Sequence, residues 1–249
     1  MRGAAPTRIP AAWLVAVCAG VAVGGFPLTS DPGPRAAFAQ PFGLRAVTVS
    51  GARELIAQFD GRQWVAPAVE PAAQGPVADG AAIAGLESTD GGLVYTVGVF
   101  PMSSAFWPRA RAAVERLAVD NGGVGRGRVT EVVMYAAPGL DGDAVFVDLV
   151  SRAPDPAWRG AVVSAWVRPD PASGAPLVLG PRVQPFATYE AFRGIPRRHP
   201  LGVAVAGPRG AATWVMHTRR GGQDAFELVD LQRKGLFERP PFLRGGPRT

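Results

Sequence analysis

The sequence predicts an α+β protein, mainly antiparallel β in a sheet or sandwich, with one clear amphipathic helix at about residues 103–121. Two observations carry that expectation. Short runs rich in Val, Leu, Phe and Tyr recur along the chain, each closed by Gly, Pro or Asp-Gly turn signals, and closely spaced short strands argue antiparallel pairing. Only one window places its apolar residues at helical spacing. No internal repeat is visible.

Ahead of these elements stands a segment of another kind. Arg2 and Arg8 precede the uncharged apolar run Ala11 to Val23, and Ala37-Phe38-Ala39 followed by Gln40 supplies small residues where a signal peptidase needs them. A positive start, a short apolar middle and an A-x-A cut are the three parts of a secretory signal. Residues 1–39 are therefore expected to be a signal peptide cleaved after Ala39, and the chain to be exported to a periplasmic or extracellular destination. The stretch from 24 to 39 is long for that purpose, so tethering by an uncleaved N-terminal anchor is the alternative. The uncharged span Ala11 to Leu28 reaches the lower limit of about 17 residues for a membrane helix, but three glycines and Pro27 make that helix poor. Cys18 is preceded by Val17, which disfavours a lipid-attachment site.

Cys18 is the sole cysteine, so the mature chain is expected to have neither disulfides nor thiolate metal sites. With 47% hydrophobic and 18% charged residues, the composition is that of a folding chain rather than a disordered one. A single β-rich domain is expected over 40–236. The tail 237–249, with Pro240-Pro241, Gly245-Gly246 and three arginines, is expected to be loosely ordered.

Along the mature chain, Leu44, Val47 and Val49 begin the apolar pattern, followed by a turn at 50–53, a second run from Glu54 to Phe59, Asp60-Gly61, and Gln63-Trp64-Val65. Asp-Gly between apolar runs is a strong hairpin signal. Residues 66–82 are rich in Ala, Pro and Gly and read as a long loop. Leu93 to Phe100 reads as one strand, being β-branched and aromatic. In the helix window Ser103 or Ser104 suits the cap, Pro108 the first turn and Asn121-Gly122-Gly123 the end. Phe106, Ala110, Ala113, Val114 and Leu117 share one face, which is expected to pack on a sheet. Strands are then expected at 128–136, 144–151, 160–168, 177–179, 201–206, 211–218 and 225–231, with a short second helix at 188–192. If Gly221-Gly222 forms a two-residue turn, Arg219 faces Asp224 and His217 faces Phe226, which makes Arg219 and Asp224 a cross-strand ion pair.

The distribution of charge says more than the net +6. Residues 40–187 hold 12 arginines against 14 acids, net −2, whereas 188–249 hold 11 basic residues against 5 acids, net +6. The densest basic stretch is Arg193 to His199, with Arg197 and Arg198 between prolines that hold it extended and exposed. It is a candidate site for phosphate, sulfate, an acidic ligand, a lipid surface or an acidic envelope polymer, with Arg193, Arg197, Arg198 and His199 as ligands. His217, Arg219 and Arg220 form a second candidate anion-binding group. Next to two arginines, His199 is expected to resist protonation. Nucleic acid is not an expected partner, because aromatic residues for base stacking are sparse among the basic ones.

Other patterns read as structural. The Gly-rich run 121–128 closes a helix and opens a strand, the reverse of a dinucleotide-binding fingerprint. Asp141-Gly142-Asp143 lacks the remaining oxygen ligands and closing Glu of a calcium loop and reads as a hairpin turn. Met216-His217 is the one adjacent soft pair, but neighbours on a strand point to opposite faces. Gly-x-Ser-x-Gly, His-Glu-x-x-His and Ser-x-x-Lys are absent from the sequence. No cofactor is expected, and the expected function is non-catalytic binding or a cell-envelope role through the basic C-terminal third. A secreted hydrolase using a carboxylate pair or a His-centred site is the alternative.

Overall fold

Strand propensity and turn chemistry together build fifteen strands and two helices among the residues described by the computed structural model: 40–67, 82–121, 127–137, 144–154, 158–206, 211–220, 223–232, 235–238 and 242–243. The expected signal segment, most of the 66–82 loop, the Gly-rich run at 122–126, Asp141-Gly142-Asp143 and Gly221-Gly222 lie outside them. Antiparallel β dominates, as the alternation of short apolar runs and turns requires.

The first sheet has the order β3-β2-β1-β4, from β1 (Phe42–Thr48), β2 (Arg53–Phe59), β3 (Trp64–Val65) and β4 (Ile83–Ser88). Asp60 shapes the β2–β3 turn, its Oδ1 accepting from the backbone N–H of Arg62 and of Gln63 at 2.8 Å each. Gly61 there sits at φ 93°, a left-handed conformation that a Cβ disfavours. Phe42, Leu44, Ala57, Phe59 and Trp64 turn inward, and the rings of Phe42, Phe59 and Trp64 lie 5.3–5.8 Å apart.

The run that reads as one strand from Leu93 to Phe100 is divided. β5 (Leu93–Thr96) pairs with β11 (Arg198–Ala206) in a six-stranded sheet, and β6 (Gly98–Val99) pairs with β7 (Arg128–Ala136) in a five-stranded one. Val97 is the crossing point, packed between the two sheets. The five-stranded sheet has the order β10-β9-β8-β7-β6, with β8 (Val145–Arg152), β9 (Gly160–Pro169) and β10 (Pro176–Phe186). β10 outruns its expected length because the register shifts between Leu179 and Arg182; Gly180, at φ 53°, absorbs that bulge where a side chain is strained. The six-stranded sheet runs β14-β13-β12-β11-β5, with β12 (Ala211–Arg220), β13 (Gln223–Gln232) and β14 (Gly235–Glu238). β15 (Phe242–Leu243) also pairs with β13, so the first part of the tail extends the sheet. Pro240 and Pro241, which have no N–H to donate, separate β14 from β15 in the sequence.

Alternation along the strands sets the layers. Val145, Val147 and Leu149 of β8 face α1 (Trp107–Asn121), which lays Ala110, Val114 and Ala118 on the five-stranded sheet. The helix begins at Trp107, four residues after the first expected cap, because 103–106 form turns in which Ser104 Oγ accepts from Phe106 N–H. On the other face, Phe146 and Trp166 meet Trp214, Met216 and Val229 of the six-stranded sheet. That sheet in turn presents Val215, Phe226 and Leu228 to the first sheet. Helix, sheet, sheet and sheet therefore stack, and β8 and β9, covered on both sides, lose the polar alternation of a surface strand. The second and third sheets are also covalently joined through Val97. Trp64 Nε1 donates to Thr213 Oγ1 at 3.1 Å, and Thr213 Oγ1 donates to Asp230, so a polar bridge ties the first sheet to its neighbour. The second short helix, α2 (Tyr189–Arg193), is capped by Thr188, whose Oγ1 accepts from Ala191 N–H at 3.1 Å.

Candidate functional site

The basic stretch is extended from Arg198 onward, where it enters β11 and leaves His199 exposed, but it is not an exposed loop throughout. Arg193 belongs to α2 and is exposed, with its guanidinium 5.8 Å from the Tyr189 ring. Arg197 and Arg198 turn inward, contrary to the exposed loop that the flanking prolines suggest. Arg197 grips Asp148 Oδ2 through Nε at 2.8 Å and Nη2 at 2.7 Å, and reaches Glu131 with Nη1 at 3.3 Å. The Arg198 side chain is 4% exposed and lies 4.7 Å over the Trp166 ring. Its Nη2 donates to one oxygen of Glu227 at 2.8 Å, while Arg182 Nη1 donates to the other at 3.1 Å. The carboxylates come from β7, β8 and β13, far away in sequence; burial of Asp148 and Glu227 makes their pairings necessary, whereas Glu131 is more than half exposed.

Burial raises the Asp148 carboxyl above its ordinary range. Arg197, by charge and hydrogen bonding, and the nearby His199 pull it down, while Glu131 adds to the rise. The Tyr135 phenol is raised by burial and by Asp148, against the pull of Arg197. A carboxyl whose folded pKa exceeds its unfolded one contributes stability that is full below the unfolded value, 3.8, and is lost as pH rises through the folded value. Wild type is therefore expected to lose stability relative to Asp148→Asn as pH climbs from below 3.8. Urea midpoints of both proteins across the acid range measure this, and a relative gain instead would contradict the burial argument.

His199 and His217 are brought together, which nothing in their spacing announces. They stand directly opposite one another in the β11–β12 pair, just before a register shift between Pro200 and Gly202. His217 Nε2 hydrogen-bonds Asp224 Oδ1 at 2.8 Å, and the Asp224 carboxylate is almost wholly buried. The Phe226 ring lies 5.4 Å away on the other flank of His217. His199 is exposed at the residue level, yet enough protein surrounds its ring that desolvation lowers its pKa below 6.5; His217 and Arg197 add to this and Asp148 opposes it. The direction is the one expected from the sequence, but burial is the first cause rather than the two neighbouring arginines.

Arg219 is exposed and faces Asp224 across the hairpin, and Arg220 pairs in register with Gln223; the side chain of Arg220 lies outside the described residues. The two expected anion groups thus part company: Arg197 and Arg198 are committed to carboxylates, the two histidines meet, and Arg193 joins a surface that sequence reading did not single out. There Trp158 lies 4.6 Å from Tyr189 and 5.7 Å from Phe192, with Phe186 5.1 Å behind Phe192. The Arg152 guanidinium sits 3.6 Å from the Trp158 ring, and Tyr189 is 43% exposed. The signal available was the recurrence of Trp and Tyr beside Arg at 152–159 and 189–193, visible only once α2 folds the second segment onto the first.

A recess of about 680 Å³ also opens beside α1, lined by Arg111, Glu115, Arg116, Asp120 and Arg128. Arg111 and Glu115 bond each other there at 2.6 Å, and the C-terminal half of a helix is unfavourable to anions. Among the described residues, no group of three or more His, Cys, Asp or Glu side chains is placed to hold a metal ion, and no helix is long and apolar enough to cross a membrane. No family model, curated protein or solved structure matches the chain.

Proposed function

We propose that this chain is an exported, non-catalytic binding protein of the cell envelope that docks on an anionic lipid surface through the aromatic and arginine patch beside α2. The observation that carries this reading is the cluster of Trp158, Tyr189 and Phe192 with Arg152 and Arg193 against the rings. Trp and Tyr have apolar bodies and polar tips, which suit the boundary between lipid and water. Each basic residue held near an anionic membrane adds about 1 kcal/mol. The N-terminal pattern of Arg2, Arg8 and the apolar run brings the chain to the membrane during export, as cleaved signal or as tether.

The test is flotation of the full chain with phosphatidylcholine vesicles, with and without phosphatidylglycerol. Partitioning is expected to rise with the anionic lipid. The doubly substituted Tyr189→Ser/Arg193→Ser protein, altered only at exposed positions, is expected to lose about fivefold of that increment, the equivalent of roughly 1 kcal/mol for one arginine near the surface. Equal partitioning on both vesicle types, or an unchanged increment in the variant, would overturn the reading. A secreted hydrolase centred on a histidine has the bond between His217 and Asp224 in its favour. That alternative needs a nucleophile beside the ring, whereas the described groups flanking it are His199 and Phe226.

A further inference from the structure

We propose that His199 and His217 form a chelating site for a divalent late transition-metal ion, with Asp224 as the outer carboxylate that orients His217. Residues directly opposite in an antiparallel pair project on the same face with Cβ atoms about 4.5–5.5 Å apart. At that spacing two imidazoles can converge on one ion at the usual metal-to-nitrogen distance of about 2.0–2.1 Å. The register places His199 and His217 in that relation.

The second observation lies behind the pair. A metal-binding histidine usually donates its other ring N–H to a carboxylate, which fixes the tautomer and aims the free lone pair. Asp224 Oδ1 stands 2.8 Å from His217 Nε2, so Nε2 carries the proton and Nδ1 is the nitrogen left to bind. Phe226, 5.4 Å away, holds the ring from the side. His199, exposed on the neighbouring strand, supplies the second nitrogen and the route of entry.

Two nitrogen ligands suit copper, nickel or zinc rather than magnesium or calcium, and among these Cu²⁺ binds most tightly at a given nitrogen site. Asp148 lies within electrostatic reach of His199 but is held by Arg197, and among the described residues no third ligand completes a closed cage. The remaining positions fall to water, which makes this an open, exchangeable site rather than a structural one. Met216, the soft neighbour in sequence, is fully buried on the opposite face and takes no part.

The chain contains only two histidines, which makes a spectroscopic test decisive. Untagged full-length protein with one equivalent of Cu²⁺ is expected to show two coupled imidazole nitrogens by electron spin echo methods, and one in each of His199→Gln and His217→Gln. Calorimetric titration with Cu²⁺ is expected to weaken by about tenfold or more in either variant, since loss of one arm removes the chelate. Asp224→Asn is expected to weaken binding by about 10–100-fold while keeping two coupled imidazoles. His199→Gln alters an exposed residue, and its circular dichroism should match wild type. Coupling to fewer than two imidazoles in the wild type, or unchanged affinity in both histidine variants, would overturn the proposal.

Discussion

Arg198→Ala is expected to destabilise the fold by about 3 kcal/mol or more, the range for breaking a buried ion pair by removing one partner. The guanidinium is 4% exposed, and it lies between the Trp166 ring and Glu227. Its loss leaves Glu227 inside an apolar layer with Arg182, at 35% exposure, as the other guanidinium bonded to it, and forfeits a desolvated cation–π contact worth about 2 kcal/mol. Arg182→Ala touches the same carboxylate from the rim and is expected to cost about 1 kcal/mol or less. Urea unfolding of the two variants separates the cases. Equal midpoints would show that burial of Arg198 contributes nothing beyond a surface pair. Arg198→Met combined with Glu227→Leu should recover much of the loss, because it removes the stranded charge as well as the pair.

Trp214→Ala is expected to cost about 3–5 kcal/mol, the range for deleting a large buried aromatic side chain. Trp214 and Trp166 are both fully buried, with rings 6.4 Å apart and edge to face, at the centre of the layer between the five- and six-stranded sheets. Neither indole N–H meets an acceptor among the described residues. Trp214→Phe keeps most of the ring and deletes a donor that was costly to bury, so its cost should be less than half that of alanine. Trp64 supplies the contrast, because its N–H donates to Thr213 and Trp64→Phe also breaks the polar bridge between sheets. Chemical denaturation of these variants measures both comparisons, and a Trp214→Phe cost as large as that of Trp214→Ala would refute the account of the orphaned donor.

Much of the antiparallel architecture is legible from local chemistry. The register of β12 with β13 follows from the sequence, since two glycines between the strands leave one way to match them: Arg219 meets Asp224 and His217 meets Phe226, as expected. α1 likewise shows its buried stripe in sequence, and its small residues Ala110 and Ala118 let it sit close to the sheet. The division of Leu93 to Val99 is not legible, because Val97 has the same strand preference as its neighbours and only the positions of β7 and β11 decide where the chain changes sheets. The meeting of His199 with His217 is equally hidden, since it depends on the β11–β12 register and on the shift after Pro200. Arg197 and Arg198 look like surface charge because their carboxylates, Asp148 and Glu227, lie in strands that only the packed fold brings alongside. A linear charge count registers an excess of arginine without seeing which arginines are already neutralised.

The strand shared between two sheets also sets an order of events. A chain synthesised from its N-terminus presents its N-terminal half first, and β6 finds its partner as soon as the Gly98 to Ala136 segment has emerged. β5, attached through Val97, has to wait for Leu93 to meet Val205, and such distant pairing is slow because a long loop must close before any contact rewards it. During that interval the five-stranded sheet is the half able to close, while the face destined for Trp214 and Met216 stands open to solvent and to other chains. Emergence from the N-terminus thus gives this topology a vulnerable stage, in which a chaperone has the most apolar surface to hold.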